Sequence, residues 1–201
     1  MGLTRTIKRV FLGFDDGVQK RDLEERDNLD AGYYQGLHDK NAAYQTNNWL
    51  VDQQRLMAMI AGKTVMELGC GNGRFTAKAA QTASHVYGVD WARSPQFDDS
   101  PDNITFIQAD ALTAELPKAD VACSGDVLEH FRPEDIPGLL AKLHGCAPLN
   151  YHVIACYDDK HSHLTIKPKE WWLEQFAALD PNYKLLNDGT EKREIAIVTN
   201  A

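Results

Sequence analysis

The stretch Val65–Phe75, V-M-E-L-G-C-G-N-G-R-F, decides the fold of this chain. An apolar run carrying one acid is followed by glycines at the alternate positions 69, 71 and 73. Glycine adopts backbone conformations that other residues avoid and lets the chain approach a ligand closely. An apolar run that ends in such glycines therefore predicts a strand followed by a tight turn around a small ligand.

The spacing of the glycines narrows the kind of ligand. The dinucleotide fingerprint is G-x-G-x-x-G, and counting from Gly69 places Arg74 where its third glycine belongs. A phosphate-binding P-loop would continue with G-K-S or G-K-T, and that continuation is absent. The pattern E-x-G-x-G-x-G, which begins at Glu67, indicates a turn for a ligand without a pyrophosphate.

Short apolar or β-branched runs alternate with helical segments after residue 60, which predicts a mostly parallel α/β sheet with helices on both faces. The last two strands are too close for a helical crossover, so they should pair antiparallel. The predicted strands are Thr64–Leu68, His85–Val89, Ile104–Ile107, Val121–Ser124, Tyr151–Cys156, Tyr183–Leu186 and Ile195–Thr199. The predicted helices between them are Arg74–Ala83, a short Arg93–Phe97, Ile136–Cys146 and Lys169–Leu179.

The 201 residues are most simply one domain with an N-terminal elaboration. Residues 1–32 are polar and dense in charge and are interpreted as an arm, in which the mixed-charge run Lys20–Asp30 forms a solvated face. Residues 33–201 form the domain. Aromatic and aliphatic residues at helical spacing predict helices over residues 33–61, placed as a lid.

Composition excludes several classes of function. A net charge of -8 disfavours a surface that neutralises nucleic-acid phosphates. No apolar run reaches the roughly 18 residues of a membrane span, and no secretory signal opens the chain. The cysteines stand apart without a C-x-x-C pair, which is typical of buried, reduced thiols, so we expect a cytoplasmic protein. They are Cys70, Cys123, Cys146 and Cys156.

Four stretches in order resemble the class I S-adenosylmethionine-dependent methyltransferases, and the resemblance runs from about Tyr33 to the C-terminus. V-M-E-L-G-C-G-N-G resembles their first motif, and V-Y-G-V-D, ending at Asp90, resembles the acidic end of their second strand. I-Q-A-D-A resembles the third-strand motif, and A-D-V-A-C-S-G-D-V-L-E-H-F the fourth-strand region of the small-molecule branch. The resemblance implies a Rossmann-like fold, S-adenosylmethionine as cofactor and S-adenosylhomocysteine as product.

The resemblance also implies roles for single residues. Asp90 would accept hydrogen bonds from the ribose hydroxyls, and Asp110 would accept one from the adenine amino group. Glu67 would interact with the methionine ammonium, directly or through water. The cofactor-binding set predicted on this basis is Glu67, Gly69, Cys70, Gly71, Gly73, Asp90, Trp91, Asp110, Ala111 and Asp126. Trp91 is interpreted as lying on the adenine face, with core packing as the alternative.

Candidate catalytic residues follow the fourth and fifth strands. Asp126 and His130 flank V-L-E-H-F, and His163 stands in the loop Cys156–Trp172, where acids, histidines and two tryptophans cluster. A histidine has a pKa suited to general-base work. One interpretation of the loop is a base above an apolar pocket, a second is a divalent metal site, and a third is an exposed loop with a tryptophan covering the sheet. The predicted substrate contacts are Tyr34, His161, His163, Trp171 and Trp172, and no metal ligand is assigned.

The sequence predicts a methyltransferase acting on an oxygen or nitrogen of a small acceptor, with a sugar or other hydroxylated metabolite favoured. Methylation of a nucleic acid or modified base is the alternative among enzymes, although the chain has no N/D-P-P-[YFW] motif and no basic stripe. A non-catalytic cofactor-binding subunit is the alternative of another class, because a fold alone does not establish catalysis. Neither a membrane nor nucleic acid is an expected partner.

Overall fold

The computed structural model describes residues 20–186 and 194–201 and contains one seven-stranded sheet in the order β3-β2-β1-β4-β5-β7-β6. Each predicted strand is present, so the α/β fold class is confirmed. The strands are β1 Thr64–Leu68, β2 His85–Asp90, β3 Ile104–Gln108, β4 Val121–Gly125, β5 Leu149–Ala155, β6 Lys184–Leu185 and β7 Ile195–Thr199.

The first five strands run parallel, and β7 pairs antiparallel with both β5 and β6. The predicted antiparallel hairpin at the end of the chain is confirmed, while most of its connection, residues 187–193, lies outside the described residues. β5 begins at Leu149, two residues earlier than predicted, because Leu149 and Asn150 already pair with β4. The Asn150 side chain donates to the Ala147 carbonyl oxygen at 2.9 Å, so a polar residue is satisfied inside the strand.

Helices surround this sheet, and three of the predicted helices are shorter in the structure than the sequence suggested. Arg74–Ala83 ends at Ala79, and Lys169–Leu179 ends at Ala177, while Pro95 leaves only a 3₁₀ turn at Pro95–Phe97. A second 3₁₀ turn covers Leu128–His130. The helices are α1 Leu23–Asp27, α2 Ala31–Lys40, α3 Ala42–Thr46, α4 Gln54–Ile60, α5 Arg74–Ala79, α6 Ile136–Cys146 and α7 Lys169–Ala177.

A hydrophobic core lies on each face of the sheet, as the strand periodicity requires. On one face Met66 and Leu68 of β1 belong to the cluster that contains the buried residues of α6 and α7. On the other face Val65 belongs to the cluster that contains α4 and α5. All four cysteines are buried and free, as predicted. No helix within residues 20–186 and 194–201 has the length and apolar composition that a bilayer span requires.

The charge run Lys20–Asp30 is not only a solvated face, which corrects the sequence interpretation. Asp22 and Glu25 form a capping box that begins α1, with the Glu25 backbone N–H donating to Asp22 Oδ1 at 2.9 Å. Arg26 on that helix is 5% exposed. Residues 1–19 of the predicted arm lie outside the described residues, and the division into an arm and a domain at residue 33 stays a prediction.

Candidate active site

A cavity of about 770 Å³ opens at the carboxyl ends of the parallel strands. The strand order reverses between β1 and β4, and ligands of open α/β sheets bind at such a reversal. Small-molecule sites commonly measure about 300–1,000 Å³, so this cavity has room for a small ligand. Its walls contain these predicted site residues: Tyr34, Gly69, Asp90, Trp91, Asp110, Ala111, Asp126, His130, His161 and His163.

The glycine turn forms the floor of the cavity beside β1. Gly69 has a φ of +66°, and a Cβ built on it would lie 2.2 Å from Cγ2 of Val127. A side chain at this position would therefore collide with the residue that follows β4, in addition to being strained. Gly71, with a φ of +51°, turns its backbone N–H toward the next strand and donates to Asp90 Oδ2 at 2.8 Å.

Asp90 lies at the end of β2 and links the glycine turn to the loop that follows. Its Oδ1 accepts from the Ala92 backbone N–H at 3.0 Å, while Oδ2 accepts from Gly71. Each carboxylate oxygen has a second lone pair, so both can still accept from hydroxyl groups in the cavity. Burial raises the pKa of Asp90, and the backbone donors at Ala92 and Gly71 counteract that rise.

Three further predicted residues lie together at the same side of the cavity. Trp91 is 40% exposed and lines the cavity, so its ring is not packed in the core. Asp110 follows β3, and its Oδ1 accepts from the Leu112 backbone N–H at 2.9 Å, which fixes the turn. The carbonyl oxygen of Ala111 accepts from Lys142 Nζ at 2.7 Å. The segments that follow β2 and β3 thus contribute an indole ring and a carboxylate to the wall of one cavity.

Glu67, a predicted cofactor-binding residue, does not line the cavity. It lies within β1 at 1% exposure, and the Thr76 hydroxyl donates to its Oε2 at 2.5 Å. Burial raises the pKa of Glu67 to about 8, so the side chain is largely protonated at neutral pH. The buried acid lies between β1 and α5 under the turn, and its contact with the methionine ammonium, directly or through water, stays a prediction.

Two other residues of the motif support the turn from below. The Cys70 side chain is fully buried beneath Gly88 of β2, and only a shallow depression beside the cavity is lined by Cys70 and Gly71. Gly73 has a φ of +73° and precedes α5, and a Cβ on it would lie 3.0 Å from the Phe97 ring. These residues shape the glycine turn through packing, and the Gly73 backbone lies away from the cavity walls.

Asp126, His130 and His163, which we call the Asp-His-His cluster, converge in the cavity. One nitrogen or oxygen atom from each lies within 4.8 Å of the others. His163 Nε2 lies 3.9 Å from Asp126 Oδ1, and the rings of the two histidines meet edge to face at 4.9 Å. The sequence predicted all three residues, and the fold brings them together from the loops after β4 and β5.

Hydrogen bonds fix the tautomers of both histidines. Nδ1 of His163 lies 2.7 Å from the Tyr157 carbonyl oxygen, and Nδ1 of His130 lies 3.3 Å from the Ser162 carbonyl oxygen. Because a carbonyl oxygen only accepts, each Nδ1 carries a proton, and Nε2 is the ring atom that can gain or lose a second one. Burial, and the nearby His163, lower the pKa of His130 to about 4, so His130 is neutral at pH 7.

Asp159 organises the loop that contains His163. Its Oδ1 accepts from the backbone N–H groups of His161, Ser162 and His163, and its Oδ2 accepts from the Ser162 hydroxyl at 2.8 Å. Burial disfavours the ionised form, but the His163 imidazole and these backbone donors outweigh it and hold the pKa of Asp159 below its usual value. His161, 8% exposed, lines the cavity from the same loop.

The predicted substrate contacts of Trp171 and Trp172 are wrong in this structure, because neither residue lines the cavity. Trp172, on α7, is 0% exposed in the hydrophobic core, and the partly buried Trp171 packs against that core. Their dense aromatic spacing at the start of a helix serves core packing, which is the commoner fate of large rings.

The N-terminal helices cover the open side of the cavity. Tyr33 and Tyr34 of α2 and Trp49 line it, whereas His38 is 1% exposed and lies behind the wall. Tyr44 of α3 also lines the cavity and was not among the predicted contacts. Aromatic residues at helical spacing were the available signal, but that pattern alone does not separate wall from core.

Arg26 is a buried residue of the cavity wall that the sequence interpretation missed. Its Nη1 donates to Asp158 Oδ1 at 2.8 Å and to the His163 carbonyl oxygen at 2.9 Å. Its Nε donates to the Arg21 carbonyl oxygen, so α1 is bound to the loop that contains His163. The spacing of Asp22 and Glu25 was a signal for a helix here, but a buried arginine cannot be recognised within a run of mixed charges.

The sequence of this chain is similar to those of known methyltransferases. A family model described as a methyltransferase domain matches residues 26–185. A phosphoethanolamine N-methyltransferase of Triticum aestivum is 28% identical over 153 residues, which are 71% of this chain and 30% of that protein. A ubiquinone biosynthesis O-methyltransferase of Pseudomonas fluorescens is 31% identical over 106 residues, which are 48% of this chain and 43% of that protein. The chain thus spans less than half the length of these two curated relatives.

Solved structures with the same fold include enzymes crystallised with this class of cofactor. A Burkholderia thailandensis 1,6-didemethyltoxoflavin N1-methyltransferase, bound to its substrate and S-adenosylhomocysteine, superposes with a TM-score of 0.65 at 15% identity, covering 92% of this chain and 91% of that one. A complex of DhpI with S-adenosylhomocysteine superposes with a TM-score of 0.67 at 16% identity, covering 88% of this chain and 95% of that one. At these identities the likeness concerns the fold.

Proposed function

Because the chain belongs to the methyltransferase domain family, we propose that it transfers a methyl group from S-adenosylmethionine to an oxygen or nitrogen of a small acceptor. The observation that carries the proposal is the juxtaposition, in one cavity, of a glycine turn tied to Asp90 with the Asp-His-His cluster. One end of the cavity suits a nucleoside, and the other offers groups that accept a proton.

The residues present suit S-adenosylmethionine. Asp90 offers two oxygens for vicinal hydroxyls, Trp91 offers an indole face for a purine, and Asp110 offers an acceptor beside it. The close approach of Gly69 to Val127 leaves no room for a side chain where the ligand would cross β1. When bound, the cofactor supplies an electrophilic methyl group on a sulfonium, and the thioether left behind needs no acid.

The chain's own residues then position and deprotonate the acceptor. Asp126, His130 and His163 face the cavity, and the Nε2 lone pairs of the two imidazoles accept a proton from an acceptor hydroxyl or ammonium group. The Tyr157 and Ser162 carbonyl oxygens hold the imidazoles in that tautomer. Tyr33, Tyr34 and Trp49 cover the opening and exclude water.

A compact, polar acceptor suits the remaining space, and a sugar or other hydroxylated metabolite is our first choice. Aromatic faces at Tyr34 and Tyr157 accompany acids and histidines along this part of the wall. Rings of tyrosine pack against apolar faces of a small ring compound while polar groups bond to its hydroxyls. A screen of metabolite extracts with methyl-labelled cofactor, followed by identification of the labelled product, tests this choice.

Cofactor binding is the first test of the proposed function. Calorimetry should detect one S-adenosylhomocysteine per chain, and Asp90→Ala should weaken its binding by at least about 100-fold, because two hydrogen bonds to a carboxylate are lost at about 1.5–3 kcal/mol each. Asp102→Ala, at an exposed position, serves as the matched control and should bind as the native chain does. Absence of binding by the native chain, or unchanged binding by a folded Asp90→Ala variant, contradicts the proposal.

A further inference from the structure

We propose that the Asp-His-His cluster binds one divalent first-row transition-metal ion beside the methyl acceptor. The ligand atoms of Asp126, His130 and His163 lie within 4.8 Å of one another, and His163 Nε2 lies 3.9 Å from Asp126 Oδ1. Metal bonds of about 2.0–2.2 Å place tetrahedral ligands about 3.4 Å apart. The ligand atoms therefore have to approach one another by roughly an ångström to reach this spacing.

The hydrogen bonds behind the histidines are those of metal ligands. A metal-binding imidazole almost always donates its second ring N–H to a carbonyl or carboxylate oxygen, which fixes the tautomer and orients the ring. Nδ1 of His163 donates to the Tyr157 carbonyl oxygen and Nδ1 of His130 donates to the Ser162 carbonyl oxygen. Both histidines therefore present Nε2 as the ligand atom, and neither would have to change its tautomer to bind a cation.

A buried acid next to the cluster gives a second, independent observation. Glu129 is 0% exposed, and its Oε1 accepts from the Ala155 backbone N–H at 2.6 Å. Its Oε2 is buried without a hydrogen-bond partner among the residues that the structure describes. An unsatisfied buried carboxyl oxygen is costly, and this one belongs to the residue that immediately precedes the proposed ligand His130.

Asp159 is not a fourth ligand, although its Oδ2 lies 3.7 Å from His163 Nε2. Its ligand atoms are not among those that converge within 4.8 Å, and it bonds to its own loop, with three backbone N–H groups donating to Oδ1 and the Ser162 hydroxyl donating to Oδ2. Its role is to hold the loop so that His163 faces Asp126. The protein ligands therefore number three, with positions left on the cavity side, which is the arrangement of a reactive site and not of a closed structural one.

Two imidazoles and one carboxylate favour Zn²⁺, Co²⁺ or Mn²⁺ over Mg²⁺ and Ca²⁺, which prefer oxygen ligands alone. The role of the ion rests on the proposed methyl transfer, whereas its binding does not. With the ion bound, the two Nε2 atoms would be ligands, and the ion would replace them as the group that promotes deprotonation of the acceptor. An acceptor hydroxyl on an open position of the ion would have a lowered pKa and lose its proton to solvent. Its oxygen then forms a bond to the methyl carbon, and the carbon–sulfur bond breaks with its electron pair remaining on sulfur.

The test is a titration of the full chain with Co²⁺ in the absence of cofactor and acceptor. We expect one Co²⁺ per chain, visible absorption bands of a four- or five-coordinate ion, and loss of those bands when Zn²⁺ displaces it. His163→Ala and Asp126→Asn should each weaken Co²⁺ binding by at least about 10-fold, since one of three ligands is lost or weakened. His85→Ala, whose imidazole bonds to Thr105 at the remote end of β2, should leave the titration unchanged.

Asp126→Asn guards against loss of the fold. Asp126 has a φ of +62°, and asparagine is among the few residues that tolerate this conformation. The proposal is overturned if the native chain binds no stoichiometric Co²⁺, or if both folded variants bind it as tightly as the native chain. Calorimetry with S-adenosylhomocysteine on the same preparations separates the two hypotheses: cofactor binding without Co²⁺ binding removes the metal site and leaves the proposed function standing.

Discussion

At the scale of single residues, two acids on neighbouring strands of this sheet have opposite fates. Asp90 ends its strand at the cavity wall, where backbone donors at Gly71 and Ala92 hold its oxygens. Glu67, one strand away, is buried with Thr76 as its hydrogen-bond donor. The sequence presents both as strand-associated acids near glycines, so only their depth in the sheet separates a ligand-binding group from a structural one.

The buried state of Glu67 predicts a pH-dependent stability. Its pKa is about 8 in the folded chain and 4.5 as the ordinary value, so between pH 4.5 and 8 the unfolded chain releases a proton that the folded chain retains. The free energy of unfolding must therefore fall as pH rises through this window. Glu67→Gln, which keeps an acceptor for Thr76, should become more stable than the native chain by up to several kcal/mol at pH 8, at about 1.4 kcal/mol per pKa unit.

Urea unfolding at pH 5, 6.5 and 8 measures this effect. The stability difference between Glu67→Gln and the native chain should be smallest at pH 5 and should grow at each step. Glu115→Gln, at an exposed position, provides the control and should show no comparable trend. A difference that stays constant with pH would mean that Glu67 is ionised in the folded protein.

His163 is the residue at which we expect catalysis and binding to separate. His163→Ala removes an Nε2 that faces Asp126, and loss of a positioned proton acceptor typically costs about 10²–10⁴-fold in rate. The value of kcat should fall within that range, while the dissociation constant of S-adenosylhomocysteine changes less than about threefold. Steady-state kinetics with the identified acceptor and calorimetry measure the two quantities, and a native kcat in the variant would remove His163 from the mechanism.

At the scale of elements, α1 and the loop after β5 behave as one unit. Arg26 donates to the side chain of Asp158 and to the main chain of His163, and the Arg21 backbone N–H donates to the Lys160 carbonyl oxygen at 2.9 Å. The segment that covers the cavity is thus bonded to the segment that carries a catalytic candidate. An opening of α1 would release both the cover and the position of the imidazole.

Arg26→Ala should therefore loosen these elements together. Loss of hydrogen bonds from a buried charged donor costs about 2 kcal/mol or more, which corresponds to roughly 30-fold faster amide exchange in α1 and in residues 157–163. Exchange in the central strands should not change. Asp98→Ala, which removes the exposed ion pair between Arg93 and Asp98, is the control, because such pairs contribute about 1 kcal/mol or less. Unchanged exchange in α1 of the Arg26 variant would show that other contacts hold it.

The sequence predicted elements with clear periodicity and missed those set by tertiary contact. All seven strands and the Asp-His-His cluster followed from apolar runs and from residues placed just after strand ends. The burial of Trp172 and Arg26 did not follow, because a ring or a charge has the same local pattern in a wall, in a core or at a surface. Glu67 shows the same limit, since one position along a strand decides between the cavity and the interior.

At the scale of the whole molecule, the net charge of -8 bears on which class of acceptor the protein can bind. Nucleic-acid binding depends on many basic contacts with phosphates, and both arginines on the cavity wall, Arg26 and Arg132, are paired with acids, Asp158 and Asp27. The basic residues nearest the site are therefore already neutralised. This arrangement favours a small acceptor over a polynucleotide.

We accordingly expect no retention on heparin and no saturable binding of labelled RNA or DNA at micromolar concentration in low salt. Fluorescence anisotropy at about 25 and 150 mM salt would measure binding of the labelled RNA or DNA, with a basic nucleic-acid-binding protein as the positive control. Affinity that is strong at low salt and falls steeply with added salt would restore the nucleic-acid alternative.

The carbonyl oxygens that orient His130 and His163 both belong to residues 157–162, one short loop. For protein engineering, this loop can be exchanged as one unit. The exchange would change the orientation of two imidazoles at once, including that of His130, whose backbone lies outside the loop. Libraries built to change acceptor preference should vary residues 157–163 as a block together with position 130. A substitution of one histidine alone would leave unchanged the carbonyl oxygens that orient the imidazoles.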